Sequence, residues 1–176
     1  KQGSASAWSD IRDIKKNDIR VPNIQKFGVN LTADIKDLQD RYEDIIIDAG
    51  GRDSIELRAA MTIADKMFVP VQASQFDIWT LSIINDLVIQ ARGFNPSLSP
   101  KVVINRAATN PSVQEVQEAK EVFGEFESLI LSENILKERI AYRKAAKNGL
   151  SVIEIEKPDA KSTQEIMALY EEVFNV

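Results

Sequence analysis

The chain has 176 residues, 44% of them hydrophobic, which is enough for one domain around a single sizeable core spanning residues 1 to 176. It contains no cysteine and no histidine, so disulfides, thiolate chemistry, a zinc site of the usual ligands and a histidine-based triad are excluded within these residues. With 22 basic and 27 acidic side chains its net charge is −5, which argues against a wholly basic nucleic-acid binder but leaves room for a local patch.

In chain order, Ser9 to Lys16 reads as a helix opened by Ser9-Asp10, with Trp8, Ile11 and Ile14 at three-residue spacing. Val21-Pro22 interrupts it, Ile24 to Val29 reads as a short strand, and Thr32 to Arg41 as a second helix. Asp44 to Asp48 contains three consecutive β-branched residues, Ile45, Ile46 and Ile47, without polar alternation. This pattern predicts a strand covered on both faces, as in a parallel sheet. A helix from Ser54 to Ala64, a strand from Met67 to Val71 and a long helix from Gln75 to Arg92 follow. The loop Gly93 to Pro100 leads to a strand at Val102 to Asn105, then a helix from Pro111 to Phe123 and a short strand at Leu129 to Leu131. Helices over Ile135 to Lys147 and Ser162 to Phe174 complete the chain. The alternation predicts an α/β fold, a mostly parallel central sheet flanked by helices and joined by right-handed crossovers. No apolar run approaches the ~20 residues that cross a bilayer, and no signal segment opens the chain, so a soluble protein is expected.

Asp48, at the carboxyl end of its predicted strand and before Gly50-Gly51, stands where open α/β sheets bind ligands. A carboxylate there suits magnesium, although an acid after an apolar strand also serves as a helix cap or turn former. Gly50 and Gly51 would let backbone approach a phosphate with no Cβ in the way, and equally fit a plain strand-to-helix turn. Asn105 has the donor and acceptor pair that reads an adenine edge, or closes the strand as a turn residue. Arg139, Arg143 and Lys147 lie at four-residue spacing. With Lys144 and Lys137 they give five positive charges against Glu138 alone. On a helix they would form one stripe, with Ile135 and Tyr142 turned toward the body. Such a stripe is a solvated face or a surface for polyanions.

Taken together, Ile45 to Gly51, Ala64-Asp65 and Pro70-Val71 resemble the deviant Walker ATPases of the ParA and MinD family. The resemblance continues through Lys101-Val-Val-Ile-Asn105-Arg106 and through Arg139 to Glu154, and so covers most of residues 40 to 156. It implies a P-loop NTPase fold and an ATPase using ATP and Mg2+. Asp48 would be the Walker B acid, holding the metal through water, and Asn105 the adenine reader. It places Arg139, Arg143, Lys144 and Lys147 on non-specific DNA. It further implies a homodimer sandwiched on ATP, a ParB-like stimulating partner, a role in plasmid or chromosome partition, and a cytoplasmic, nucleoid-associated location in bacteria. The sequence departs from the family in having no Gly-x-x-x-x-Gly-Lys-Ser/Thr loop. Its opening, Lys1-Gln2 then Ser4 to Trp8, resembles the end of the family's second-strand element, with Gln2 as its glutamine. The expectation is a chain lacking its N-terminal βαβ part, about 35–40 residues by the length of one such unit, and for that reason unable to hydrolyse ATP or dimerise on it. A MinD-like membrane-associated ATPase is the first alternative. The terminal helix has Ile166, Leu169, Tyr170 and Phe174 on one face but an acidic opposite face, which an anionic membrane would repel, so no membrane contact is expected. A non-catalytic interaction module that has lost its nucleotide site is the second.

Overall fold

A computed structural model describes residues 3–15, 19–28, 30–50, 52–72, 75–110, 115–124 and 126–175. Gln2 and Gly51 lie outside the described residues, as do residues 111–114, where a helix was predicted to begin.

The first helix, α1, runs Ser4–Ile14, five residues earlier than Ser9-Asp10 signals. Ser9 is buried inside the helix, and its hydroxyl donates to the Val21 carbonyl at 3.1 Å, so it ties down the next segment instead of capping α1. Helix α2, Leu31–Gln39, buries Leu31 and Ile35, one turn apart. Helix α3, Ile55–Met61, starts at Ser54, whose hydroxyl accepts from the Leu57 amide at 3.1 Å, and it buries Leu57, Ala60 and Met61. Strand β1 is Lys66–Val71 and helix α4 is Gln75–Arg92, the predicted bounds of that helix. Strand β2, Ser99–Ala107, helix α5, Glu115–Phe123, and strand β3, Ile130–Lys137, follow. Helices α6, Ile140–Ala146, and α7, Ala160–Phe174, complete the order.

The three strands form a parallel sheet in the order β1-β2-β3, an α/β arrangement consistent with a P-loop NTPase. Val102, Val103 and Ile104 are all buried, as a strand covered on both faces requires. One apolar cluster joins Leu57 and Met61 of α3 to Ile84, Leu87, Val88 and Ala91 of α4 and to Leu98. A second joins Val71 of β1, Leu81 of α4 and Val102, Ile104 and Ala107 of β2 to Ala119 and Phe123 of α5.

Three sequence expectations give way. Asp44 to Asp48 belongs to no ladder among the described residues, and Ile46 is 81% exposed. β-Branched residues favour extended backbone, but burial on both faces needs neighbouring strands, and none pairs here. Ile24 to Val29 is likewise no strand over its described residues. Side chains of α1 hold this stretch: Ser6 donates to Asn23 Oδ1 at 2.9 Å and Gln25 donates to Ser6 Oγ at 2.6 Å. Ile135 to Lys137 is the end of β3 and not the start of a helix, because the register pairs Ile135 with Ile104 and Lys137 with Ala107.

Helix α7 lies along β3 and is fixed by polar contacts. Glu172 accepts from Lys101 Nζ at 2.8 Å, Asn134 Nδ2 at 2.7 Å and the Ser132 hydroxyl at 2.5 Å, while Lys66 Nζ donates to the Val173 carbonyl at 2.6 Å. Burial pushes the Glu172 carboxyl up, but the bonds from Lys101, Ser132 and Asn134 together outweigh it and hold the group below the usual carboxylate range.

Candidate functional site: a cleft at the carboxyl end of the sheet

The ladder between β2 and β3 is irregular at its carboxyl end. Two residues separate Ile104 from Ala107 on β2, but one separates their partners Ile135 and Lys137 on β3. Asn105 and Arg106 therefore stand together against Leu136 alone, a β-bulge. Arg106 takes φ 55°, the left-handed region that a side chain other than glycine adopts at a cost. Past the bulge the ladder resumes, and the Glu138 amide donates to the Ala107 carbonyl at 2.9 Å.

The bulge forms one wall of a cleft of about 490 Å³, within the range of small-molecule sites. Leu136 from β3, Tyr142 and Arg143 from α6 and Ile166 from α7 complete it, with Glu138 and Arg139 at the turn between β3 and α6. Asn105 is half-buried and lines the cleft together with its two aliphatic side chains, Leu136 and Ile166. The position agrees with the rule that open α/β sheets take ligands beyond the carboxyl ends of their strands.

One wall is braced from α7. Arg139 meets Glu165 through Nε at 3.0 Å to each carboxylate oxygen and through Nη2 at 2.5 Å, with both side chains about 15% exposed. The bond that Arg139 donates to Glu165 raises the Arg139 pKa above its ordinary value. Tyr142 donates its hydroxyl to the Ser162 carbonyl at 3.1 Å. Burial, followed by the neighbouring Glu165 carboxylate, pushes the phenol up to about 12, so Tyr142 is a neutral wall residue at physiological pH. Four cations line the cleft, Arg106, Lys137, Arg139 and Arg143; Arg139 is paired with Glu165, and Arg106 and Arg143 share Glu138.

The predicted site residues divide between places. Asn105 lines the cleft, and so do Arg139 and Arg143, which were expected on a DNA-facing stripe. Arg139 is not on that stripe: it precedes α6 with extended backbone and points to Glu165. Arg143, Lys144 and Lys147 are exposed on α6 and its carboxyl cap. Asp48 is exposed and is not among the residues lining the cleft. Gly50 is exposed, and a Cβ built on it would meet nothing within 4 Å, so the chain itself sets no steric need for glycine there. No cluster of three or more acidic side chains able to hold a metal occurs among the described residues. Magnesium bound at Asp48 would need oxygen ligands from phosphate and water, its usual pattern. The cleft combines one side-chain amide at the strand end, the apolar surfaces of Leu136, Tyr142 and Ile166, and four cations, a set that suits an anionic ligand with a flat, partly apolar portion.

Two features went unnoticed in the sequence. The bulge at Asn105-Arg106 has no local signal, since it exists only in the pairing with β3. Arg12 is the other. It is 3% exposed and donates to Glu154 at 2.5 and 2.9 Å, to the Gly149 carbonyl at 2.9 Å and to the Ile19 carbonyl at 2.6 Å, with its guanidinium 5.3 Å from the Trp8 ring centre. Its place on the Trp8 face of the first helix was the one available hint.

The family model described as "ATPase MipZ" matches residues 5–123, more than half of the chain. The chain belongs to the MipZ ATPase family. That family is of the ParA and MinD type, so the coarse resemblance holds. The matched region runs from α1 to the end of α5, and it therefore includes Asp48, the bulge and Asn105. It ends before β3 and α6, so the basic side chains of α6 lie outside it. The chain is also similar to maintenance of carboxysome distribution protein A of Halothiobacillus neapolitanus (strain ATCC 23641 / c2). The two are 22% identical over 173 residues, 98% of this chain and 78% of that protein.

Proposed function

We propose that this protein is an ATP-dependent positioning ATPase of the partition type, using ATP and Mg2+. In this reading it acts, when the family's phosphate loop is present, as a homodimer on ATP, holds DNA without sequence preference and is released when a ParB-like partner stimulates hydrolysis. The observation that carries the reading is Asn105, set by the bulge into a cleft at the carboxyl end of the sheet of a MipZ-family chain. Asn105 would take the adenine edge, with Leu136, Ile166 and Tyr142 excluding water around the base. Asp48 would hold magnesium through water, next to Gly50 and Gly51. ATP with its metal supplies the phosphoanhydride that is hydrolysed. Titrating Mg-ATP calorimetrically into the protein, with its intact mass confirmed on the same sample, tests this. Micromolar binding that Asn105→Ala weakens about tenfold is expected, the cost of a lost buried amide contact. No heat from the folded protein would sink the reading and favour the interaction module.

Similarity to a carboxysome distribution protein favours a second choice of cargo, a protein body in place of a plasmid or chromosome. Both cargoes use the same DNA surface in this reading, and Arg143, Lys144 and Lys147 are the candidates for it. Because Arg139 is engaged by Glu165, about three phosphates are neutralised per protomer, and log affinity for DNA should fall with log salt at a slope near −3. Lys144→Glu combined with Lys147→Glu, two exposed positions that do not line the cleft, should abolish retention of a random-sequence duplex without changing Mg-ATP binding. Retention equal to the parent protein's would remove α6 from the DNA surface.

A further inference from the structure

At the mouth of the cleft three charged side chains form a row. Glu138 accepts from Arg106 Nε at 2.5 Å through one oxygen and stands 3.6 Å from Arg143 Nη1 through the other. Arg106 comes from the bulge and Arg143 from α6, so a single carboxylate joins the two sides of the opening. We propose that Arg106 and Arg143 are an anion subsite for a phosphate group of an adenine nucleotide, and that Glu138 occupies it internally until the ligand displaces it.

Three observations carry this. The left-handed backbone at Arg106 is costly for an arginine and is kept at the place where it turns the guanidinium toward the cleft. Two guanidinium groups converge on one carboxylate, which leaves a positive charge uncompensated, and their fork of donors suits the tetrahedral oxygens of phosphate as well as a carboxylate. The latch is also weak enough to open. The Arg106, Arg143 and Glu138 side chains are 57%, 68% and 33% exposed, and ion pairs this open to water contribute little. The bond to Arg106 holds the Glu138 carboxyl below its usual range, so Glu138 stays charged and competes with an anion throughout the physiological range.

The choice of an adenine nucleotide rests on the reading of Asn105 above, and the two can fail separately. The test follows the Nε–H signals of Arg106 and Arg143 by NMR at low salt while pyrophosphate is added, in the parent protein and in E138Q. Removing the internal carboxylate raises the competent fraction, so half-saturation in E138Q should come at about three- to fivefold lower pyrophosphate. E138Q combined with R106Q should lose the effect at Arg143. Equal half-saturation in the parent protein and E138Q would overturn the subsite. So would shifts confined to Arg143, Lys144 and Lys147, which place the anion on the outer face of α6. Adenosine, which carries no phosphate, should shift the Asn105 side-chain amide equally in both proteins. Its failure to do so, with the pyrophosphate response intact, would remove the adenine reading and leave the anion subsite standing.

Discussion

Replacing Gly149 with alanine should destabilise the fold by about 2–5 kcal/mol, a large part of the 5–15 kcal/mol that holds a domain of this size together. Gly149 has φ 66°, and a Cβ built on it would stand 2.6 Å from the Arg12 amide nitrogen and 2.8 Å from its Cα. Backbone cannot turn aside as a long side chain can. The new methyl group must push α1 away from residues 149–154, and the left-handed conformation adds its own cost for any residue with a Cβ. Urea unfolding of the two proteins gives the difference directly. A midpoint within about 0.5 kcal/mol of the parent protein's would mean that α1 is free to shift and that the close approach has no energetic weight.

The second large effect belongs to Arg12. Arg12→Met keeps most of the aliphatic stem but leaves Glu154 and the Gly149 and Ile19 carbonyls without their donor. Arg12 is buried but the Glu154 side chain is 28% exposed, so the loss comes mainly from the carbonyls left without a donor and amounts to about 1–3 kcal/mol. Pairing Arg12→Met with Glu154→Gln should recover part of that loss, since the stranded charge is then gone. The pair also imposes an acid limb on stability. The bond from Arg12 holds the Glu154 carboxyl below its ordinary value of 4.5. In the unfolded chain the group takes up its proton near 4.5, and in the folded protein only at lower pH. Its contribution is therefore complete above 4.5 and is lost as pH falls through the depressed folded value. Glu154→Gln should flatten that limb of a stability curve measured by urea unfolding at successive pH values. An unchanged acid limb in Glu154→Gln would assign it to other carboxylates, Glu172 first among them.

What the sequence disclosed and what it hid follow from the range of each interaction. Helix α4 was legible to its end residues because Leu81, Ile84, Leu87, Val88 and Ala91 repeat within one element. The core of β2 was legible because Val102 to Ile104 is an unbroken apolar run. Ile45 to Ile47 looks the same on paper, but whether such a run enters a sheet depends on strands elsewhere in the chain. At the candidate site Asn105 was readable as a residue type at a strand end. The inward turn of Arg139 was not, because its partner Glu165 lies 26 positions later on another helix. The stripe of basic residues assumed a helix that begins at Ile135, and the ladder to β2 claims Ile135 to Lys137 first.

The Arg12 to Glu154 contact spans 142 positions of sequence. Closing so long a loop costs entropy before any bond repays it, whereas β1, α4 and β2 assemble from near neighbours. Docking of α1 is therefore expected to come late in folding. Substitutions at Arg12 and Gly149 act on the lifetime of the folded protein, through faster escape, and leave the rate at which it forms almost untouched.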